Sequence, residues 1–306
     1  MERVDEPGCG SDRLSRRTAG LALAAGLLAP RSVLGAPLLD ARKRSIPPAN
    51  LSRVVCIGGA ITEIAYALGV EGHVIAVDST SQFPPQALKD KRNIGYMRQV
   101  SPEGVLALRP TLILVMNDAG PPQALDVLAA SGTPLVFIDA TLTPQAVEQR
   151  IRFLARIFNV APAGERLCRA LDSQFADLVA WRAAHPARKR VLFVLSMRND
   201  HPVVGGTETS ADAIIILAGG VNAAASLQGY KPVSDEALGA MAPDVVLAMD
   251  HAGPSLETSV LDQPGFRLTP AGRQHALIRM DGEFLLGLGP RTPQAALDLA
   301  KRLAQA

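Results

Sequence analysis

Two segments of the 306-residue chain read alike and lie on either side of a long helical pattern. They are GYMRQVSPEGVLALRPTLILVMND at 95–118 and GYKPVSDEALGAMAPDVVLAMD at 229–250. Their Ser, Glu, Pro and Met positions align at a constant offset of 133 residues, as in Ser101 and Ser234. Each segment places Gly-Tyr before a capped helix and an apolar strand. The sequence therefore predicts two lobes of similar architecture.

Short apolar runs alternate with helical patterns throughout both halves of the chain. In the first half they include RVVCIG, HVIAV, TLILVM and PLVFI, and in the second RVLFVLS, DVVLAMD and ALIRMD. Strands that are apolar on both faces and alternate with helices are typical of parallel sheets covered on both sides. The predicted fold class is α/β, with two Rossmann-like lobes whose sheets are mostly parallel.

One long amphipathic helix is predicted between the two halves, at 161–186. Leu167, Leu171, Phe175 and Leu178 recur at helical spacing, and Pro186 ends the pattern. The predicted organisation is an N-terminal lobe at 50–160, this helix, and a C-terminal lobe at 187–306.

The first 36 residues have the layout of a signal peptide. Arg16 and Arg17 precede an apolar run of about 12 residues, which is too short to span a bilayer, and small residues follow at Gly35 and Ala36. The paired arginines favour the twin-arginine route, so we expect export to the periplasm. A buried N-terminal helix is the alternative interpretation.

Composition and missing motifs exclude several functions. A net charge of +2 does not suggest nucleic-acid binding. The three cysteines, Cys9, Cys56 and Cys168, form no CxxC pair, and the latter two are expected to be buried free thiols. The chain contains no GxGxxG, GxxxxGK[ST], HExxH or GxSxG motif. We therefore expect a protein that is not an enzyme, with an exported enzyme acting on a metal chelate as the weaker alternative.

Tyr96 is the sharpest candidate for binding chemistry. It lies in a loop before a helix whose start is marked by Ser101 and Pro102. A phenolate suits Fe(III), and Arg98 could supply the positive charge that favours the phenolate. The alternative is a Gly-Tyr turn with a packed ring.

The Gly-Gly turn and the two matching glutamates each have a structural and a functional interpretation. Gly58 and Gly59 form a strand-to-helix turn that could approach a ligand or could simply be tight. Glu103 and Glu236 each follow a capping serine, where an acid favours the helix dipole. Because they match across the lobes, they could instead bind a two-fold symmetric partner.

The region after the leader resembles the haem-binding, periplasmic substrate-binding proteins of bacterial ABC haem importers. These belong to the class III binding proteins, whose lobes are joined by one long helix. The resemblance rests on CIGGAITEIAYALG at 56–69, VDSTSQFP at 77–84, GYMRQVSPEGVLALRPTLIL at 95–114, GTETSADAIIILAGG at 206–220, GYKPVSDEAL at 229–238 and LGPRTPQAALDLA at 288–300.

The resemblance implies a role for each matching residue. Tyr96 would be the axial ligand of ferric haem b, the transported ligand, and Arg98 would support it. Glu103 and Glu236 would dock on arginines of a membrane permease dimer. Tyr230 and Lys231 would line the opposite cleft wall, with Lys231 near a haem propionate. The protein is expected to act as a monomer.

The sequence also departs from the family pattern. Some family members hold a second haem through a His where Met197 stands here, and His201 lies four residues further on. We therefore expect one haem and leave a second open. Phe83 replaces the usual Tyr of the 77–84 segment. Cobalamin or a ferric siderophore is the alternative cargo.

Overall fold

A computed structural model describes residues 37–186, 188–199, 201–250 and 258–306. The predicted signal peptide, with Cys9, lies outside these ranges. In the described residues, no helix combines the length and the apolar character that crossing a bilayer requires.

The N-terminal lobe alternates strands and helices, as predicted. Its strands are β1 (Val54–Ile57), β2 (Val74–Val77), β3 (Arg92–Asn93), β4 (Leu112–Met116) and β5 (Leu135–Ile138). Its helices are α1 (Gly59–Ala67), α2 (Gln86–Asp90), α3 (Pro102–Leu106), α4 (Pro122–Ala130) and α5 (Pro144–Ile157), with a 3-10 turn at Glu71–His73.

The long helix α6 (Ala161–Ala184) leads into the C-terminal lobe. The strands of that lobe are β6 (Arg190–Arg198), β7 (His201–Gly205), β8 (Val221–Asn222), β9 (Tyr230–Pro232), β10 (Val245–Asp250) and β11 (Leu277–Asp281). Its helices are α7 (Ser210–Leu217), α8 (Asp235–Met241), α9 (Pro264–Arg267), α10 (Pro270–Gln274), α11 (Gly282–Leu286) and α12 (Thr292–Gln305), with a 3-10 turn at Thr258–Asp262.

The first sheet has the order β3-β2-β1-β4-β5, and all its pairings are parallel. Strands β1, β4 and β5 are fully buried because helices cover both faces of the sheet. In a parallel sheet the carboxyl ends of the strands meet at one edge. The loops that follow these strands therefore lie together, and this edge faces the second lobe across a cleft.

The second sheet is mixed. Its order is β11-β10-β6-β7-β9, with β8 paired to β6. The β6, β8, β10 and β11 pairings are parallel, whereas β7 is antiparallel to both β6 and β9. The predicted α/β class and two-lobe architecture are confirmed, but the antiparallel strands, which are short and partly polar, were not predicted.

The repeat in the sequence corresponds to equivalent elements. Helices α3 and α8 begin at Pro102 and Asp235, and β4 and β10 begin at Leu112 and Val245, both 133 residues apart. The hydroxyls of the preceding Ser101 and Ser234 accept hydrogen bonds from backbone amides of the first helical turn at 3.2 and 3.3 Å. The same capping signal therefore starts the same helix in each lobe.

Helix α6 holds the two lobes together through their cores. Cys168 and Leu171 belong to the core of the N-terminal lobe, Leu178 belongs to that of the C-terminal lobe, and Phe175 packs against both. A single helix that shares both cores favours small lobe movements over wide hinge opening. Cys56 and Cys168 are buried free thiols, as predicted.

Gly164 gives a test of how tightly α6 packs on α5. A Cβ at this position would lie 2.5 Å from Cβ of Ala155, whereas Gly239 on α8 has nothing within 4 Å. Gly164→Ala should lower the free energy of unfolding by about 1–2 kcal/mol, because the overlap outweighs the gain in helix propensity. Gly239→Ala should raise it by about 0.5–1 kcal/mol. Urea unfolding measures both, and equal effects of the two variants would contradict this packing.

Candidate binding cleft

Tyr96 lies on the cleft edge of the N-terminal lobe, after the short strand β3. The preceding Gly95 has φ of 90°, a left-handed conformation that favours glycine, and its carbonyl accepts a hydrogen bond from Ser79 at 2.8 Å. The Tyr96 side chain remains 44% exposed. The loop therefore fixes the backbone of Tyr96 and leaves its phenol available to a ligand.

Arg98 is held beside this loop by Asp118, which follows β4. The guanidinium donates to the Asp118 carboxylate at 2.8 Å and to the Asp118 carbonyl at 3.1 Å. The two loops are also joined through their backbones, since the Gly120 amide donates to the Met97 carbonyl at 3.0 Å. Because the ion pair is about half exposed, it adds little stability, but it sets where the positive charge lies.

Tyr230 faces this pair of residues from the C-terminal lobe. Its ring packs edge-on against Phe193, with ring centroids 6.3 Å apart, and lies over Gly205. Burial raises the pKa of the Tyr230 phenol, and hydrogen bonds with Thr209 and the Ala211 amide lower it. Across the cleft, the charge of Arg98 also lowers this pKa, whereas Tyr96 raises it. The structure therefore brings Tyr96, Arg98 and Tyr230 together.

The other candidates of the C-terminal lobe lie on β6, β7 and β9. Met197 pairs with Pro202 across the antiparallel β6–β7 ladder and is partly packed against the lobe core. His201 begins β7 and is exposed, and exposed Lys231 pairs with Val204 on the adjoining ladder.

Gly59 does not present a free surface to a ligand, contrary to the cleft-lining interpretation. The Gly58 and Gly59 amides donate to Asp78 and Thr80 at 2.8 and 2.9 Å. A Cβ on Gly59 would overlap the Glu283 carboxylate of the opposite lobe. The glycine is required here because the two lobes touch at this turn.

Glu103 and Glu236 occupy matching positions, each the second residue of its helix, and both are exposed. They therefore present one negative charge on each lobe. Across the described ranges, no group of three or more His, Cys, Asp or Glu side chains is close enough to hold a metal ion.

A second group of polar residues joins the lobes away from the tyrosines. Glu63 on α1 pairs with Arg291, which precedes α12; the Arg291 amide donates to Glu63 Oε1 at 2.9 Å and its guanidinium to Oε2 at 3.1 Å. Sequence reasoning missed this pair and the Asp118 contact. The available signal was a lone glutamate in the otherwise apolar helix GAITEIAYA.

The fold and this cleft define a two-lobe binding protein. Residues 54–284 match the model of the periplasmic binding protein family. The chain belongs to that family, and its two α/β lobes joined by one helix have the class III architecture. Family members and structural neighbours are binding proteins of the periplasm.

Solved structures and curated sequences give two different ligands for the relatives. The haem-binding protein RhuT from Roseiflexus sp. RS-1 is 38% identical, with a TM-score of 0.77, over 83% of this chain and 98% of its own. The haem-binding protein BhuT in complex with two haems is 37% identical, with a TM-score of 0.76 and the same coverage. The vitamin B12-binding protein of Pectobacterium atrosepticum is 26% identical over 83% of this chain and 88% of its own.

Proposed function

We propose that this protein captures ferric haem in the cleft between its lobes, with Tyr96 as the iron ligand, and delivers it to an inner-membrane ABC importer. The observation that carries the proposal is the exposed side chain of Tyr96 in the same loop as Arg98, whose guanidinium is held by Asp118. The relatives of higher identity, which bind haem, support the same cargo.

The chemistry at Tyr96 requires the loss of a proton. A free phenol has a pKa of about 10, so binding of Fe(III) must displace the phenolic proton to solvent. Asp118 holds the guanidinium of Arg98 in the same loop, where it would offset the negative charge of an iron-bound phenolate. Packing of the Tyr230 ring against Phe193 desolvates its phenol and raises its pKa, which disfavours the loss of its proton.

The remaining cleft residues would bind the periphery of the porphyrin. Lys231 and Arg98 carry positive charges that suit the propionates, while Tyr230 and Met197 offer apolar surface to the ring. One haem on Tyr96 is the expected stoichiometry. A second haem, as in BhuT, would need a ligand from the C-terminal lobe, for which Met197 and His201 are the candidates.

Cobalamin is the second candidate cargo, because the curated relatives are named vitamin B12-binding proteins. In that case Tyr96 would be only part of the cleft wall. A ferric siderophore would fit the same fold. The family of binding proteins argues against the exported enzyme.

A hemin titration followed by visible absorption tests the cargo and the ligand together. The wild type should give a saturable high-spin ferric spectrum of the tyrosinate type, with a break at one hemin per chain. Tyr96→Ala should abolish that spectrum because no other phenol takes its place. Tyr230→Phe is the matched control and should keep the spectrum.

Each other outcome of the titration has a defined meaning. A normal spectrum in Tyr96→Ala would refute Tyr96 as the ligand and direct attention to Met197, His201 and Tyr230. No saturable change in the wild type, together with saturable binding of cyanocobalamin, would replace haem by cobalamin as the cargo.

Delivery would use Glu103 and Glu236, the matching exposed acids of the two lobes. Two like charges, one on each lobe, complement arginines of a two-fold symmetric permease dimer. Export to the periplasm by the twin-arginine-type leader at 1–36 would place the protein on the correct side of the inner membrane.

Charge reversal tests this docking surface. Glu103→Lys and Glu236→Lys should each weaken binding to the importer's permease dimer in nanodiscs by about tenfold, since each places like charges in contact. Hemin affinity should stay unchanged, because neither residue contacts the cleft. Asp172→Lys, at an exposed position on α6, is the matched control. Equal loss of permease binding in all three variants would point to net charge and not to a specific surface.

A further inference from the structure

The contact between the lobes buries an ion pair with one partner from each lobe. Glu63 and Arg291 are joined by the two hydrogen bonds described above, and their side chains are only 6% and 19% exposed. The Arg291 guanidinium also lies over the ring of Phe83, 3.6 Å from its centroid. A second buried contact joins the lobes where Arg150 donates to the Leu288 carbonyl at 2.8 Å. The guanidinium of Arg291 therefore faces Glu63 and Phe83, and its buried Nε atom has no hydrogen-bond partner.

A second carboxyl group, Glu283, lies in the same contact without a partner of its own. Its Oε1 atom is buried and has no hydrogen-bond partner. The carboxyl packs against Gly59 of the opposite lobe, as described above, and against Gly287. A buried polar atom without a hydrogen bond is costly, and a buried carboxylate without a counter-ion is far more so.

The charged groups facing Glu283 are mostly acidic. They are Glu63 from α1, Asp78 after β2, Asp281 at the start of α11, and Arg291 before α12. Burial and the three acids raise the pKa of Glu283 well above its usual range, and Arg291 only partly opposes this rise. Burial also raises the pKa of Glu63, although its bonds to Arg291 act in the opposite direction.

We propose that Glu63, Glu283 and Arg291 form a proton-dependent lobe latch, in which the lobes close with Glu283 as a neutral carboxylic acid and separate more readily when its proton is lost. Separation exposes the Glu283 carboxyl to water, and its proton then passes to solvent. The proposed latch depends only on the contact between the lobes, so its test is independent of which ligand the cleft holds.

The direction of the pH effect follows from linkage. A carboxyl whose pKa is higher in the closed state than in water binds its proton more tightly when the lobes are closed. Closure is therefore favoured below the ordinary carboxyl value of 4.5 and is weakened as the pH rises through the raised value. Within that window one proton changes the closing equilibrium by up to about tenfold per pH unit.

Hydrogen–deuterium exchange, corrected for intrinsic exchange rates, tests the latch on the unlabelled chain. In the wild type, peptides covering 59–67 and 282–291 should lose protection, by several-fold, as the pH is raised from 4.5 to 9. Glu283→Gln keeps the shape of the neutral acid and should remain protected at both pH values. Peptides from the α5–α6 packing provide the internal reference.

Two further variants separate the latch from general effects. Glu63→Gln breaks the ion pair and should raise exchange at these peptides at both pH values, because it acts on closure itself. Asp126→Asn, at an exposed position on α4, should behave as the wild type. An unchanged wild-type protection between pH 4.5 and 9 would overturn the proposal, as would an equal pH response in the wild type and in Glu283→Gln.

Discussion

The buried ion pair between Glu63 and Arg291 is the interaction on which the geometry of the cleft depends. It joins the first helix of the N-terminal lobe to the segment that begins the last helix of the C-terminal lobe. Helix α6 brings the two cores close, but a single helix does not fix how two sheet edges face each other. The pair, together with the Arg150 contact to Leu288, fixes that orientation. In this orientation Tyr230 faces Tyr96 and Arg98 across the cleft.

The two ends of this lobe interface use polar residues in different ways. At the end formed by Glu63, Glu283 and Arg291, two carboxyl groups and a guanidinium are largely buried and a glycine permits close approach. At the end formed by Tyr96 and Arg98, side chains stay about half exposed and carry an ion pair that orients more than it stabilises. The contacts that hold the lobes are thereby separate from the exposed side chains of the proposed haem site.

The sequence predicted the elements that follow from local patterns. The buried strands β1, β4 and β10 were evident from apolar runs, and α3 and α8 from the repeated Ser cap. Local sequence patterns do not show which residue of the other lobe a side chain will contact. Glu283 illustrates the limit, because its carboxyl packs against Gly59, which lies more than two hundred residues earlier in the chain. Asp118 was missed for the same reason, because its contact with Arg98 is set by the meeting of two loops.

The measurement that tests the central claim most directly is resonance Raman spectroscopy of the hemin complex prepared with ring-deuterated tyrosine. If Tyr96 binds the iron, the spectrum contains iron–phenolate and tyrosinate ring modes that shift on deuteration and vanish in Tyr96→Ala. A hemin complex whose spectrum lacks phenolate modes, or whose modes do not respond to the label, would contradict a tyrosinate-ligated haem in this cleft.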